Sequence, residues 1–147
     1  MVQTYKIYIN GEWVKSSSGE TFDDLNPATE ESIGKFQKGN EEDINKTVDA
    51  AEDAFEKWSE TPAPKRGKII LKAAQLLEQN KESLARELTE EMGKVLVEAR
   101  GDIQEAIDMA EYMAGEGRRL FGNTTTSELK DKFAMTVRRP IGIVGLI

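Results

Sequence analysis

The sequence of 147 residues contains no cysteine and no histidine. Without cysteine, the chain cannot form a disulfide or a thiolate metal site, and it has no thiol nucleophile. Without histidine, it lacks the side chain that most often serves as a general base or metal ligand near neutral pH. Any chemistry performed by these residues would therefore have to use carboxylates, lysines or hydroxyl groups.

Long apolar runs and an excess of positive charge are also absent. No segment approaches the roughly 20 apolar residues that a membrane-spanning helix needs, and the first residues lack the basic and then apolar layout of a secretory signal. Lysine and arginine total 20 against 27 aspartate and glutamate residues, so the net charge of -7 repels phosphate backbones. We expect a cytoplasmic chain without membrane or nucleic-acid partners.

The N-terminal region carries a hairpin signal. Asn10-Gly11 lies between two strand-like runs, which predicts a type I′ turn and a two-stranded hairpin over residues 5–15. An extended segment from Thr21 then runs into a turn set by Pro27, and the loose alternation over residues 32–37 is compatible with another short strand. With 38% hydrophobic residues in the chain, one domain or part of one is expected.

The middle of the chain is predicted to be helical. Asn40, with Asp43 three residues later, has the spacing of a helix N-cap. The first helix ends before two closely spaced prolines, two further helical stretches follow from Pro64 with a break near Asn80, and a fourth helix spans residues 97–112. Two apolar stripes on these helices are predicted to be core, without chemical roles. They are formed by Ile44, Val48, Ala51, Phe55 and Trp58, and by the apolar positions between Leu76 and Leu88.

The last part of the chain returns to strand character. Residues 123–128 are rich in threonine and serine and are predicted to be a loop or edge segment, followed by a strand over 133–137. Residues 140–147 are nearly all apolar, which predicts a strand buried on both faces of a parallel sheet. Because such a strand needs sheet neighbours and a crossover, we interpret the chain as a fragment. A solvent-exposed terminal segment would contradict this interpretation.

Five short motifs occur in one order along the whole chain. They are Y-I-N-G-E-W at 8–13, N-P-A-T at 26–29, E-E-M-G-K at 90–94, A-G-E-G-R-R-L at 114–120 and R-R-P-I-G-I-V-G-L-I at 138–147. In this order and spacing they resemble the aldehyde dehydrogenase superfamily. The fourth motif, with the T-x-x-S-E that follows it, resembles the branch that oxidises semialdehydes, including 2-oxoglutarate semialdehyde.

The resemblance implies an α/β fold that is larger than this chain, with a Rossmann-like cofactor domain, a catalytic domain and an oligomerisation sheet. Residues 1–147 would be the N-terminal segment of the cofactor-binding domain, with helices covering that domain and 140–147 as its first buried strand. The hairpin at 5–15 and residues 123–138 would contribute to the oligomerisation sheet. The catalytic domain would be absent, and no catalytic residue can be assigned, because the family's nucleophilic cysteine and water-activating glutamate lie downstream.

The resemblance also implies a structural monovalent cation. Glu91 matches an acidic position that binds such a cation in many family members, together with a backbone carbonyl that corresponds to about Leu25. Carboxylate and carbonyl oxygens suit a hard cation. Two alternatives are that Glu91 is a solvated helix residue, and that the neighbouring Glu90 is the matching ligand.

Two further sites follow from the resemblance. Arg100 and Gln104, with Asp108, share a helical face that corresponds to the family's aldehyde entrance tunnel, where an arginine could pair with the distal carboxylate of a semialdehyde. The alternative is that Arg100 pairs with Glu98 or Glu105 on a solvent face. Ile147 matches the first position that approaches the NAD or NADP cofactor, although the chain has no G-x-G-x-x-G fingerprint.

Three functions are consistent with parts of this pattern. The first is the N-terminal portion of an NAD(P)-dependent aldehyde dehydrogenase, inactive without the remainder of the same enzyme, and part of a homodimer or homotetramer that assembles through the hairpin and the 133–137 strand. The second is a non-catalytic truncated relative that acts as an assembly module through the same strands. The third is an unrelated acidic helical binding domain, which would not explain the apolar strand at 140–147.

Overall fold

The computed structural model describes residues 2–147, and over this range it contains four helices and three two-stranded antiparallel sheets. The strands are β1 (Ile7–Ile9), β2 (Glu12–Val14), β3 (Thr21–Leu25), β4 (Ser32–Gln37), β5 (Thr124–Thr126) and β6 (Phe133–Met135). The helices are α1 (Glu41–Glu60), α2 (Ala63–Gln79), α3 (Lys81–Met92) and α4 (Leu96–Glu116). None of these helices is long and apolar enough to cross a membrane.

The predicted N-terminal hairpin is confirmed. β1 pairs with β2 in a three-residue ladder, and the turn between them places both Asn10 (φ 50°) and Gly11 (φ 84°) in the left-handed region. A type I′ turn requires positive φ at both central residues, which Asn-Gly accepts at low cost. Tyr8 and Trp13 lie opposite each other on the exposed face, with ring centroids 5.0 Å apart.

The second sheet joins the hairpin to the rest of the chain. β3 and β4 form an antiparallel ladder whose register shifts between Asp24 and Leu25. Ahead of the hairpin, Thr4 forms a parallel bridge with Lys35, and the ring of Tyr5 stacks on Phe36 at 4.8 Å between centroids. The residues that precede β1 therefore lie along β4, which is a pairing that the sequence did not predict.

Both ends of α1 are capped. Asn40 is the N-cap, as predicted, and it forms a capping box with Asp43, in which each side chain accepts a hydrogen bond from the other residue's backbone N–H. At the other end, the Arg66 guanidinium donates to the backbone oxygens of Ser59 (3.0 Å) and Thr61 (2.8 Å) and, at 3.3 Å, to that of Trp58. These contacts satisfy carbonyl groups that the end of a helix leaves free.

Helices α2, α3 and α4 pack together, with α4 in contact with both of the others. Small residues allow the closest approach, since a methyl carbon at Gly67 in α2 would lie 2.4 Å from the backbone oxygen of Ala114 in α4. Gly117, at the end of α4, is equally confined, because a methyl carbon added there would lie 2.5 Å from the backbone oxygen of Ala63. The chain divides α2 from α3 at Asn80, as predicted, and Gly93 ends α3 in the left-handed conformation.

The core of the described chain is thin. Its fully buried apolar residues are three alanines, Ala74, Ala85 and Ala99, together with Ile107, and no large side chain is completely enclosed. The accessible surface is 11894 Å², whereas a folded monomer of 16.4 kDa typically exposes about 7500 Å². Much of the apolar surface that the sequence provides is therefore not covered within these residues.

The two apolar stripes predicted to be core are only partly so, which is a correction. On α1, Ile44 is 62% exposed and Trp58 45%, while Phe55 is half-buried. On α2, Leu76 is exposed, whereas Leu84 on α3 is half-buried. The helical period was predicted correctly, but periodicity shows which side of a helix needs cover and does not supply the element that covers it.

The strand predicted over residues 140–147 is not formed, and this prediction is wrong for the structure. The segment has no regular secondary structure, and Ile141 is 94% exposed. It lies beside α1 instead, where Ile143 and Val144 help to line a cavity of about 470 Å³ with Val48. A strand is stabilised by its ladder partners, and none of residues 2–147 pairs with this segment.

The third sheet is an isolated two-stranded ribbon. β5 pairs with β6, with Thr125 opposite Ala134, so the predicted strand at 133–137 is confirmed over 133–135 and the predicted edge segment at 123–128 contains a strand. Phe133 and Met135 are exposed on it. A lone ribbon is at best marginally stable in water, and both of its outer edges are open to further pairing.

Candidate functional site

A cavity of about 500 Å³ lies between the β3–β4 sheet and helices α3 and α4. Its apolar lining is formed by Tyr5, Ile33, Phe36, Leu84, Leu88 and Ile103, and its carboxylates are those of Asp24, Glu87, Glu90 and Glu91. Within residues 2–147, none of these four carboxylates forms an ion pair. The cavity therefore combines an apolar wall with uncompensated negative charge.

The two residues predicted to bind a cation lie on neighbouring elements at this cavity. Leu25 ends β3 at the register shift, and Glu91 is in the last turn of α3 and lines the cavity. The elements meet where Gly93 packs on Pro27, since a methyl carbon at Gly93 would lie 2.6 Å from the proline ring. Glu90 lines the same cavity, so the structure keeps both glutamates as candidates.

The donor set is compatible with a weakly bound hard cation but not with a tight metal site. One carboxylate with backbone carbonyl oxygens is the chemistry that such a cation takes. In the part of the chain that the structure describes, no group of three or more acidic side chains is arranged to hold a metal ion. Any cation here would need further oxygen ligands from water or from outside these residues.

Arg100 lies on α4 and is already paired. Its Nε and one terminal nitrogen each donate to a carboxylate oxygen of Glu82 on α3, both at 2.8 Å. This fork-shaped pair, with Arg86 also in contact with Glu82, holds the pKa of the Glu82 carboxyl at about 2, mainly through the Arg100 hydrogen bonds. The alternative partners expected from the sequence, Glu98 and Glu105, are therefore wrong, because the partner comes from the adjacent helix.

Gln104 and Asp108 share the face of α4 that carries Arg100, as predicted. Gln104 donates to Asp108 at 2.7 Å and accepts a hydrogen bond from the Lys81 ammonium at 2.6 Å. Since Lys81 opens α3, these contacts and the Arg100 pair connect α3 to α4 along one side. The candidate tunnel residues thus lie close together and take part in polar contacts between α3 and α4.

Ile147 and the residues before it do not form a cofactor site by themselves. The segment 140–147 forms no strand or helix within residues 2–147, whereas a dinucleotide phosphate is held by a strand, a tight turn and a helix N-terminus. Gly142 has a positive φ of 120°, but no phosphate-binding loop accompanies it. Within residues 2–147, this segment therefore does not provide a complete binding site for a nicotinamide cofactor, and the proposed contact at Ile147 stays a prediction.

A buried polar pair was missed by sequence reasoning. Asp43 and Ser16 are each 5% exposed and are the buried polar residues of the described chain. Ser16 donates to the Asp43 carboxylate at 2.7 Å, and this bond and the Ser17 backbone N–H lower the pKa of Asp43 to about 2. The capping spacing had identified Asp43, but nothing in the sequence connected it to a serine 27 residues away.

Comparison with known proteins gives a family match over most of the chain. The sequence profile described as "Aldehyde dehydrogenase family" matches residues 13–147. Malonate-semialdehyde dehydrogenase 1 of Shouchella clausii is 41% identical over 144 residues, and alpha-ketoglutaric semialdehyde dehydrogenase of Bacillus subtilis is 41% identical over 145. Each alignment covers 98% of this chain, but only 29% and 30% of the respective relative.

A solved structure supports the same assignment. A double mutant of betaine aldehyde dehydrogenase from Staphylococcus aureus, in complex with NAD+, superposes with a TM-score of 0.90 at 33% identity. The superposition covers 95% of this chain and 28% of that one. The fold described above thus matches the N-terminal part of the aldehyde dehydrogenase fold.

Proposed function

Because the chain belongs to the aldehyde dehydrogenase family, we propose that the protein containing it oxidises an aldehyde or semialdehyde to a carboxylate, with NAD or NADP as hydride acceptor. The match over residues 13–147 carries this proposal. The reaction class requires a thiol that adds to the aldehyde carbonyl, and these 147 residues contain no cysteine. The nucleophile therefore belongs to the part of the enzyme outside them.

The role of this chain in that enzyme is architectural. We assign residues 1–147 to the N-terminal segment of the cofactor-binding domain, with the hairpin at 5–15 and residues 123–138 in the oligomerisation sheet. The exposed apolar stripe on α1 and the uncovered segment 140–147 support a large contact with the remainder of the enzyme. The open edges of the β5–β6 ribbon support strand pairing with a second copy, in a dimer or tetramer.

A semialdehyde with a distal carboxylate is the proposed substrate class. The names of the two relatives, which act on malonate semialdehyde and alpha-ketoglutaric semialdehyde, support this choice. Arg100 and Gln104 are the proposed tunnel residues of this chain, and a substrate carboxylate at Arg100 would have to share the guanidinium with Glu82. Replacement of Arg100 by methionine should raise KM for an anionic aldehyde and leave KM for a neutral aldehyde unchanged.

Glu91 and the Leu25 carbonyl are the proposed cation ligands. The variants Glu91→Gln and Glu90→Gln form a matched pair, because both side chains line the same cavity and differ by one position. Thermal stability should rise with Na+ or K+ relative to a bulky organic cation, and Glu91→Gln should abolish this dependence while Glu90→Gln retains it. Equal loss in both variants, or none in either, would remove Glu91 as the ligand.

Ile147 is proposed as a marginal contact to the cofactor in the whole enzyme. Its support is the position of residues 140–147 in the family match, since these residues form no cofactor site alone. An Ile147→Ala substitution in the complete enzyme should raise KM for NAD or NADP a few-fold and leave the KM for aldehyde unchanged. No change in either constant would remove Ile147 from the cofactor contacts.

The direct test of the proposed function is reconstitution. The chain alone should show no oxidation of malonate semialdehyde or 2-oxoglutarate semialdehyde with either NAD+ or NADP+. Mixed with the complementary remainder of the Bacillus subtilis relative, it should form a complex and restore activity. That relative divided at the same place and recombined with itself is the positive control. Activity in the chain alone would contradict the proposal, as would a complex that stays inactive while the control recovers.

The alternative is a non-catalytic assembly module. The exposed β5–β6 edges, with Phe133 and Met135 uncovered, are the observation in its favour. It predicts that the chain joins intact subunits of a full-length relative and changes their oligomeric state, without restoring activity to the complementary remainder. Light scattering and activity measured on the same mixtures separate the two functions.

A further inference from the structure

The β1–β2 hairpin is held at both of its ends by the side chain of one residue. Gln37, the last residue of β4, donates from its amide nitrogen to the backbone oxygen of Tyr5 (3.3 Å) and accepts from the backbone N–H of Ser16 (3.0 Å). Tyr5 lies just before the hairpin and Ser16 just after it. The hairpin is therefore fastened to β4 at the points where the chain enters and leaves it.

The loop that follows β2, at Ser16 and Ser17, also forms hydrogen bonds with the N-terminus of α1. The Ser16 hydroxyl contacts Asp43 Oδ2 (2.7 Å), and the Ser17 N–H donates to Oδ1 of the same carboxylate (3.0 Å). The Ser17 hydroxyl donates to the Asn40 side chain at 2.9 Å. One carboxylate thus closes the N-terminus of α1 and holds the loop that follows β2.

The apolar part of the junction between the hairpin and the helix is open. Ile7 of β1 and Ile44 and Val48 of α1 line one cavity of about 470 Å³. Tyr8 and Trp13 face solvent on the opposite side. Because charge-assisted hydrogen bonds are stronger than neutral ones, we expect the bonds to the Asp43 carboxylate to be the strongest polar contacts at this junction.

We propose that Asp43, Ser16 and Gln37 form a clasp that fixes the orientation of the β1–β2 hairpin on α1, so that the hairpin and the helices unfold as one cooperative unit. Asp43 is a positioning residue in this arrangement. Its neighbour Glu42 belongs to the same turn, but it pairs with Lys46 on the same helix and does not contact the hairpin. The clasp does not depend on the enzymatic role proposed for the protein.

The two tryptophans permit a direct test. With Trp58 replaced by phenylalanine, Trp13 is the sole tryptophan and its fluorescence follows the hairpin, while far-ultraviolet circular dichroism follows the helices. In this background the two thermal transitions should coincide. Ser16→Ala removes the hydroxyl that contacts Asp43 and the Lys38 backbone oxygen. It should move the Trp13 transition below the helical one by on the order of 5 °C.

Two variants separate the clasp from ordinary helix capping. Ser16→Ala leaves the bond from the Asp43 N–H to Asn40 (3.1 Å) intact, so helix fraying cannot explain a change confined to Trp13. The double variant Ser16→Ala/Asp43→Asn should shift the Trp13 transition by less than the sum of the two single variants, because both changes weaken the Ser16–Asp43 contact, whereas the Ser16 contact with the Lys38 backbone oxygen (2.7 Å) is lost in Ser16→Ala only. Glu42→Gln should leave the transitions coincident.

Two results would overturn the proposal. One is that the Trp13 and helical transitions separate before any clasp residue is changed, or stay coincident in Ser16→Ala. The other is that the effects of Ser16→Ala and Asp43→Asn add in full in the double variant, which would mean that the two side chains act independently.

Discussion

The interface between α2 and α4 is closely packed, whereas the apolar face of α1 is largely exposed. Between α2 and α4, glycine and alanine bring the backbones into contact, and Gly67 and Gly117 leave no room for a side chain. On α1, large apolar residues such as Ile44 and Trp58 stay exposed, with residues 140–147 loosely beside them. The first region is closed by contacts within residues 2–147, whereas the second is left exposed by them.

The largest expected difference is between buried and exposed isoleucine. Ile107 on α4 is 3% exposed, so Ile107→Ala should lower the free energy of unfolding by about 2–5 kcal/mol. Ile44→Ala on α1 removes the same atoms from an exposed site and should change it by less than about 0.5 kcal/mol. Urea denaturation of both variants measures the contrast. A similar loss of stability in the two variants would mean that the apolar face of α1 is covered in solution.

Close backbone packing gives the second contrast. Gly67→Ala forces a methyl group against the Ala114 backbone and should cost about 1–3 kcal/mol of stability. Gly101→Ala is the control, because this helical glycine has nothing within 4 Å of the added carbon and should gain up to about 1 kcal/mol from helix propensity. Thermal denaturation of the pair would contradict the account if both substitutions acted in the same direction.

The sequence predicted what depends on neighbouring residues and missed what depends on distant ones. The Asn10-Gly11 turn and the Asn40 cap were predicted because both are local geometries with few suitable residues. The Glu82–Arg100 pair crosses two helices, and several acidic residues near Arg100 were equally plausible from spacing alone. The contact between Ser16 and Asp43 required knowledge of the tertiary fold.

The terminal segment shows a different limit. Its apolar composition predicted a buried strand over 140–147. The same residues are exposed here because residues 2–147 contain no strand that pairs with them and no element that covers them. The criterion that exposure would contradict the family interpretation was therefore mistaken. A segment without pairing strands is exposed even if it belongs to a sheet in a larger protein, so its exposure does not test the family. The match over residues 13–147 shows the family independently.

A smaller effect is expected at the end of α1. Arg66→Met removes the guanidinium that binds the carbonyl oxygens of Ser59 and Thr61, and it should cost about 1–2 kcal/mol because partly buried acceptors lose a charged donor. Lys65→Met, one residue earlier and exposed, should change stability little. Amide exchange should accelerate in the last turn of α1 in the Arg66 variant only. Equal exchange in both variants would exclude the cap.

The smallest expected effect is on acid stability. Hydrogen bonds hold the pKa of Asp43 and of Glu82 at about 2, below their ordinary values of 3.8 and 4.5. Their stabilisation is therefore complete above about pH 4.5 and is lost as pH falls toward 2. The Tm of the unmodified chain should fall more steeply over this window than that of Asp43→Asn/Glu82→Gln. Parallel curves would show that neither carboxylate is stabilised in the folded state.

Amide hydrogen exchange of residues 140–147 tests the central claim most directly. In the chain alone these amides should exchange as in an unstructured peptide. In complex with the complementary remainder of a full-length relative, they should slow by about 100-fold or more as the segment joins a sheet, and Trp58 should become protected from solvent. A complex that restores activity while 140–147 still exchanges freely would contradict the view that this segment and the α1 face await cover from the rest of the enzyme.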